Sequence, residues 1–548
     1  MYADKTEYLH KMIKGPKCCF LSRPRRFGKT LLIDTFDELF RGNRELFKGL
    51  WIDTDSDYAF ERHPVLKLNM AYSKISTKKD LEARIECDLR EAAEIEDVTI
   101  TQNSYGEMLG QFLKNVKEKY GIGAVVLIDE YDAPVAMHMS DLNLAADNRD
   151  VLYDFYTSLK KYLNHIRFVL VTGITRFTMT ALDSGPNNFV DISLLPDFAG
   201  ICGFTLSEFD VYFSDRLEEI LNHVKIGNSI ELGAANKEGL KANILELKSK
   251  ILEWYDGYNW LGPERVYNPY SILNFFLEKD FSDYWPALGV PNHLSALVRE
   301  SPLEFIQPSL DSCTVREMKK IELGELKPVP VLFHNGYLTI DGQVLKDEIV
   351  DGKTFKVKAY SFKIPNLEVR MNYRASLFKQ AFDPKNHYFG DFAKKLPKAI
   401  LEKNSKELIK LLRGILSSIT YFQHEPSESY YHSILQAAFI AAGIVVISEV
   451  PGALGRSDMA VFLKDMVCVA IELKYRLAGL AKDNDDLAEK DLIAALNDAE
   501  IQIREKEYAQ ALSAISRNVI CLALAIRGRT QVAARFIDLS ETEITPAS

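Results

Sequence analysis

Long hydrophobic runs are missing from this 548-residue sequence, and none approaches the roughly 18 residues that a membrane-spanning helix needs. The N-terminus, Met-Tyr-Ala-Asp-Lys-Thr-Glu, lacks an apolar signal core. Cysteine is scarce: seven residues, an odd number, lie mostly in apolar runs (Cys18, Cys19, Cys468, Cys521) without metal-ligand spacing. That disfavours a disulfide framework and points to reduced thiols. No excess of positive charge is present either; the formal net charge is -10, which argues against a protein that coats nucleic acid over its whole surface while leaving room for a local basic groove. A cytoplasmic protein without membrane attachment is the expectation. What is present, 47% hydrophobic and 26% charged residues, suits a globular chain too long for one core, so about two to four domains are expected.

The most informative stretch is Ser22-Arg-Pro-Arg-Arg-Phe-Gly-Lys-Thr30. Before it lies the apolar run Lys17–Leu21, and after it Leu32, Phe36, Leu39 and Phe40 recur at the spacing of one helix face. Strand, tight loop and helix form the setting in which Gly28-Lys29-Thr30 cradles phosphate. Main-chain N–H groups of Arg25, Arg26, Phe27 and Gly28 face the anion, Lys29 neutralises it, and the Thr30 hydroxyl holds magnesium. The usual first glycine of such a loop is absent, and Arg23 stands in its place.

Downstream, Ala124-Val-Val-Leu-Ile-Asp-Glu-Tyr-Asp132 runs from five apolar residues into carboxylates, as a strand buried on both faces does at the ligand edge of an open α/β sheet. Asp129 is expected to hold the magnesium and Glu130 to polarise the attacking water; Asp132 takes no assigned role. Pro64–Met70 reads as a further strand, with helices at 79–94 and 105–120. A strand placed between phosphate loop and acidic strand marks the hydrolases that carry their own catalytic glutamate. Arg167–Phe177 supplies another buried strand, ending in Thr172, Thr175 and Arg176, where a hydroxyl or guanidinium at the edge senses the terminal phosphate or merely caps the strand.

Thr205 and Glu208 have capping-box spacing, and helical patterns dominate to about residue 285. The turn Tyr255–Trp260 reads either as a lid over the nucleotide or as aromatic packing between helices. Strand-like runs at 336–340 and 355–363, joined through Asp341-Gly342 and Asp351-Gly352 turns, suggest a winged-helix-like module that touches DNA or another domain. Lys394, Lys395, Lys398, Lys403, Lys406 and Lys410 lie on helical patterns, either as a solvated face or as a nucleic-acid patch.

Near the C-terminus a helix at 425–442 precedes three strands, 443–450, 455–463 and 466–474. Asp458 starts the second, and Glu472 and Lys474 share a face near the end of the third, because side chains alternate along a strand. Two carboxylates for a divalent metal beside a lysine for water is the arrangement that phosphodiester hydrolysis needs. His432, one turn from Glu428, is read as a helix histidine with an ordinary partner.

Taken in order, Asp4–Glu7, Arg23–Thr30, Leu127–Asp132, Thr172–Phe177, Tyr255–Tyr258 and Val266–Tyr270 resemble the AAA-ATPase-like proteins, mostly bacterial, whose C-terminus is a PD-(D/E)XK nuclease-superfamily domain. Arg23 departs from the general phosphate loop but not from this family. The resemblance implies an α/β multidomain chain: an ATPase-type parallel sheet at 1–210, a helical lid region at 211–300, the winged-helix-like module at 301–375, a helical connector at 376–420 and a restriction-endonuclease-like domain at 421–548. It also adds Glu428 as a third carboxylate ligand beside Asp458 and Glu472, and places Gln502 and Tyr508 in a later helix motif. The implied function is an ATP hydrolase, with ATP and Mg2+, whose nucleotide state controls a nuclease using Mg2+ or Mn2+ on nucleic acid, DNA before RNA. A nucleotide-switched binding protein with an inactive nuclease fold is the alternative, and the oligomeric state stays open.

Overall fold

The computed structural model describes residues 2–72, 74–139, 141–175, 189–221, 237–285, 312–319, 327–350, 353–373, 388–417, 427–442, 444–452, 455–463, 467–477, 485–505, 512, 516, 518–528 and 530–538. The chain forms two compact units, one of Met1–Ala296 with Pro308–Asn372 and one of Leu297–Gln307 with Tyr373–Ser548.

The first unit is built on a five-stranded sheet of β1 (Cys18–Ser22), β2 (Val65–Asn69), β3 (Ala124–Asp129), β4 (Ile166–Gly173) and β5 (Val190–Asp191), in the order β2-β3-β4-β1-β5. Every pair is parallel. Parallel neighbours need crossovers, and these crossovers put helices on both faces, which is why the central strands are continuously apolar. On one face Phe20, Val126 and Val169 pack with Leu81, Ile85, Leu113 and Phe155 of the helices Lys78–Ile95, Tyr105–Tyr120 and Leu142–Lys161. On the other, α1 (Thr6–Lys14) precedes α2 (Lys29–Phe40), whose Phe36 stacks on Phe168 at 5.4 Å. Each such ring contributes about 1.5–3 kcal/mol by leaving water.

One expectation needs correction. The strand inserted between β1 and the acidic strand β3 is β4, not Val65–Asn69, which lies beyond β3 at the sheet edge. Sequence order places Val65–Asn69 between the motifs, but it pairs with the far side of β3, at the sheet edge.

Beyond the sheet, the helix Leu206–Leu221 opens with the expected capping box: the Glu208 N–H donates to Thr205 Oγ1 at 3.2 Å and the Thr205 N–H to Glu208 Oε2 at 2.9 Å. Glu208 also takes the Lys5 ammonium at 2.6 Å, tying the start of α1 to this helix. Tyr255 packs with Phe275, Phe281 and Tyr284. Two short helices, Val315–Lys319 and Pro328–His334, accompany a sheet of β8 (Cys313–Thr314), β9 (Thr339–Val350) and β10 (Lys353–Lys363), preceded in chain order by the two-stranded β6 (Phe204–Thr205) and β7 (Val266–Tyr267). Asp341-Gly342 is not a turn. Gly342 pairs with Ser361 and Ile340 with Phe362, so Asp341 is the extra residue of a bulge inside β9.

The second unit carries a sheet of β11 (Val445–Gly452), β12 (Gly455–Phe462), β13 (Val467–Arg476), β14 (Asn518–Arg527) and β15 (Gln531–Ile537), in that order. Only β13 and β14 run parallel, joined by a crossover containing the helix Asp485–Glu505. One face packs Val469, Ile471, Leu473 and Leu522 against Leu435 and Phe439 of the helix Glu428–Ala441. The other presents small residues, Ala470 and Ala523, to Ala495 and Ala499, which lets the crossover helix approach closely. The six lysines at 394–410 are all exposed, five of them on the helices Tyr388–Leu401 and Ser405–Ser417 and Lys403 in the turn between these, while Leu396, Leu408 and Leu411 are buried. Among the described residues no helix is long and apolar enough to cross a membrane.

Candidate active sites

In the first unit β1, β3 and β4 deliver their C-terminal ends to one edge. Asp129 ends β3, and its two oxygens are divided: Oδ2 accepts from Thr30 Oγ1 at 2.6 Å, and Oδ1 accepts from Thr172 Oγ1 at 2.6 Å and from the Glu130 N–H at 3.0 Å. Lys29 is buried and folds back on its own loop, donating to the main-chain oxygens of Arg23 at 2.9 Å and Pro24 at 3.1 Å. Burial pulls its ammonium below the usual lysine range, opposed by the charges of Asp132, Asp129 and Glu130. Glu130 follows Asp129 in a left-handed conformation, φ 48°, so the chain turns sharply and the Tyr131 N–H reaches Thr172 O at 3.0 Å. This brings Lys29, Thr30, Asp129, Glu130 and Thr172 to one edge. Arg176 lies outside the described residues.

Asp132, given no role from the sequence, is buried and accepts from the N–H groups of Ile174 and Thr175, the latter at 2.6 Å. It holds the turn after β4, and burial pushes its carboxyl up to about 6 despite those bonds. Gly173 is required beside it, because a Cβ there would sit 2.5 Å from Asp132 Oδ1.

The loop's three arginines have separate surroundings. Arg23 is 1% exposed and donates to the main-chain oxygens of Ser22, Ser193 and Phe198, with its guanidinium over the Trp260 ring at 4.6 Å. Arg25 is exposed. Arg26 lies flat on Tyr270, 3.6 Å from the ring centroid. Phe27 is buried edge-on against Tyr258 at 4.8 Å. Of the two readings of the turn Tyr255–Trp260, the contacts are those of aromatic packing: Tyr255 packs with Phe275, Phe281 and Tyr284, while Tyr258 and Trp260 back the phosphate loop.

In the second unit Asp458, Glu472 and Lys474 lie on the face of the sheet that also carries Ala460 and Ala470. Glu472 is fully buried. Lys474 Nζ lies 3.1 Å from Glu472 Oε1 and 3.8 Å from Glu428 Oε1. Burial works to lower the Lys474 pKa, yet the opposing charges of Glu472, Glu428 and Asp458 leave it raised. Asp458 Oδ2 accepts from the Leu473 N–H at 2.8 Å, and Glu428 Oε2 from the Tyr475 N–H at 3.1 Å. His432 bonds the main-chain oxygen of Asp458 through Nε2 at 2.8 Å, and Tyr431 stacks on Tyr475 at 4.9 Å. The first turn of the helix thus braces both β12 and β13. Gln502 lies on the crossover helix, and Tyr508 falls outside the described residues.

Residues 1–183 match the family described as "Predicted AAA-ATPase", and residues 426–536 match the "PD-(D/E)XK nuclease superfamily". A protein named "Uncharacterized protein in vnfD 5'region", from Azotobacter chroococcum mcd 1, is 30% identical over 473 residues, covering 85% of this chain and 84% of that relative. The chain belongs to the AAA-ATPase-like family with a C-terminal PD-(D/E)XK nuclease-superfamily domain.

In this AAA-ATPase-like protein the donor types at the first site suit magnesium. Thr30 and Asp129 are the hydroxyl–carboxylate pair that magnesium takes beside phosphate and water. Among the described residues no three His, Cys, Asp or Glu side chains converge into a ready-made cage. The expectation of Glu428 as a third ligand is corrected: it does not join Asp458 and Glu472 in one cluster but faces Lys474 and the Tyr475 N–H, so a metal there would need water and substrate oxygens to complete its shell. Sequence reasoning missed the packing of Tyr258, Trp260 and Tyr270 against the loop. Their clustering in two short aromatic motifs was the available signal.

Proposed function

We propose that the protein binds and hydrolyses ATP at Lys29, Thr30, Asp129 and Glu130, within residues 1–210, and that the nucleotide state controls a metal-dependent nuclease within residues 421–548 that acts on DNA in the cytoplasm. The observation that carries the reading is the Asp129 carboxylate held by Thr30 on one oxygen and Thr172 on the other, beside the buried Lys29. Lys29 gives up its main-chain oxygens for phosphate, Thr172 keeps Asp129 oriented, and Glu130 draws a proton from water. Thr30 and Asp129 would hold magnesium, which would supply neutralisation of phosphate charge. At the second site Asp458 and Glu472 hold the metal, and Lys474 orients water toward phosphorus.

ATP with magnesium should stabilise the folded protein by about 2.7 kcal/mol at one hundred times its dissociation constant. Lys29→Ala should abolish that gain, and equal thermal shifts in parent and variant would refute binding at this loop. Glu130→Gln should retain the shift and slow hydrolysis by about 100-fold or more; hydrolysis at the parental rate would remove Glu130 from the reaction.

A second reading, a nucleotide-switched binding protein without cleavage, is favoured by one feature: Lys474 pairs with both Glu472 and Glu428, so the carboxylate charge is balanced in part without a metal. Labelled DNA and RNA incubated with Mg2+ or Mn2+, with and without ATP, decide between the two.

A further inference from the structure

We propose that Arg26 is a phosphate-binding arginine of the nucleotide site and that Tyr270, 244 positions further along the chain, is the positioning residue that aims it. The inference rests on the nucleotide reading above and adds a residue pair to it.

The guanidinium carbon of Arg26 lies 3.6 Å from the centroid of the Tyr270 ring. Such stacking engages the π-face of the guanidinium and leaves the in-plane N–H groups for hydrogen bonds. One of those groups, Nη1, is buried and finds no hydrogen-bond acceptor among the described residues. A buried donor left without a partner is unfavourable, and here it belongs to a residue three positions before Lys29, in a loop read as facing an anion. Arg23 differs, because both its terminal nitrogens are spent on main-chain oxygens and only its Nε is left without a partner among the described residues. Arg25 differs by being exposed. Arg26 itself takes a left-handed backbone, φ 68°, which few side chains adopt without a local reason.

Tyr270 is well fixed for this task. The buried Asn268 caps the helix Pro269–Glu278 and accepts from the Tyr270 N–H at 2.9 Å, and Pro269 presets the first helical residue. A ring on the first turn of a capped helix gives the guanidinium a rigid surface. The ligand class is the phosphate chain of a nucleoside triphosphate, which inorganic tripolyphosphate shares without the base.

The test is a double-mutant cycle read by calorimetric titration with Mg-ATP and with tripolyphosphate. Arg26→Ala and Tyr270→Leu should each weaken both ligands by about tenfold, Tyr270→Phe should stay within about twofold because it keeps the stacking face, and the double variant should bind no more weakly than Arg26→Ala. Parental affinity in Tyr270→Leu, or losses that multiply in the double variant, overturn the proposal. Should Tyr270→Leu fail to fold, Arg26→Ala decides alone, and parental affinity there overturns it. Lys29→Ala separates the two levels: parental binding in that variant sinks the nucleotide reading, whereas loss there with parental binding in Arg26→Ala sinks only the arginine's role.

Discussion

The Thr172 hydroxyl, at the end of β4, lies 2.6 Å from Oδ1 of Asp129, at the end of β3. Both groups are buried, so the bond fixes which way the carboxylate faces before any ligand arrives. Thr172→Val keeps the shape and removes the donor. It should cost about 1–2 kcal/mol of stability and slow ATP hydrolysis more than it weakens ATP binding. Asp129→Asn should instead weaken the magnesium-dependent part of binding. Urea unfolding together with ATP titration at two magnesium levels checks both, and a Thr172→Val protein that unfolds and hydrolyses like the parent would show the bond to be incidental.

At the second site His432 reaches the main-chain oxygen of Asp458, not its carboxylate. Asp458→Asn and Lys474→Ala should each suppress cleavage by about two orders of magnitude or more without altering the ATP-induced thermal shift. His432→Ala should cost less, about tenfold, by letting β12 relax. His432→Gln, which restores a donor of similar reach, should recover part of that loss. Full cleavage by Asp458→Asn would rule out the proposed metal site.

Glu368 offers a pH test within the first unit. It is buried and accepts from the Ser271 hydroxyl at 2.8 Å and the Trp285 N–H at 2.8 Å; burial nonetheless pushes its carboxyl up to about 7, from an ordinary 4.5. The folded value exceeds the unfolded one, so its contribution to stability is complete below about 4.5 and is lost as pH rises through about 7. Glu368→Gln removes this dependence. The stability of parent relative to variant should fall by on the order of 3 kcal/mol between about pH 4.5 and pH 8. Urea unfolding of both proteins across that range measures it; a constant difference would mean that folding leaves the Glu368 pKa unshifted.

Sequence by itself determined the local chemistry and most of the elements. Continuous apolar runs such as Ala124–Ile128 fit strands covered on both faces, and the helix periodicity of 105–120 matched its observed limits, Tyr105–Tyr120. Alternation along β13 was enough to put Glu472 and Lys474 on one face, and Leu473 on the other, inside the core. Tertiary structure alone decided what stands beside what. Nothing local distinguishes β4 from β2 as the strand beside β1, since crossover geometry sets that order. Asp341-Gly342 carries turn residues yet lies within β9, because pairing with β10 on both sides of the bulge outweighs local propensity. Likewise Arg23 and Arg26 look equivalent as residues; they part company only when Trp260 and Tyr270, far along the chain, arrive to receive them, one with both terminal nitrogens bound to main-chain oxygens and the other with a terminal nitrogen, Nη1, still unspent.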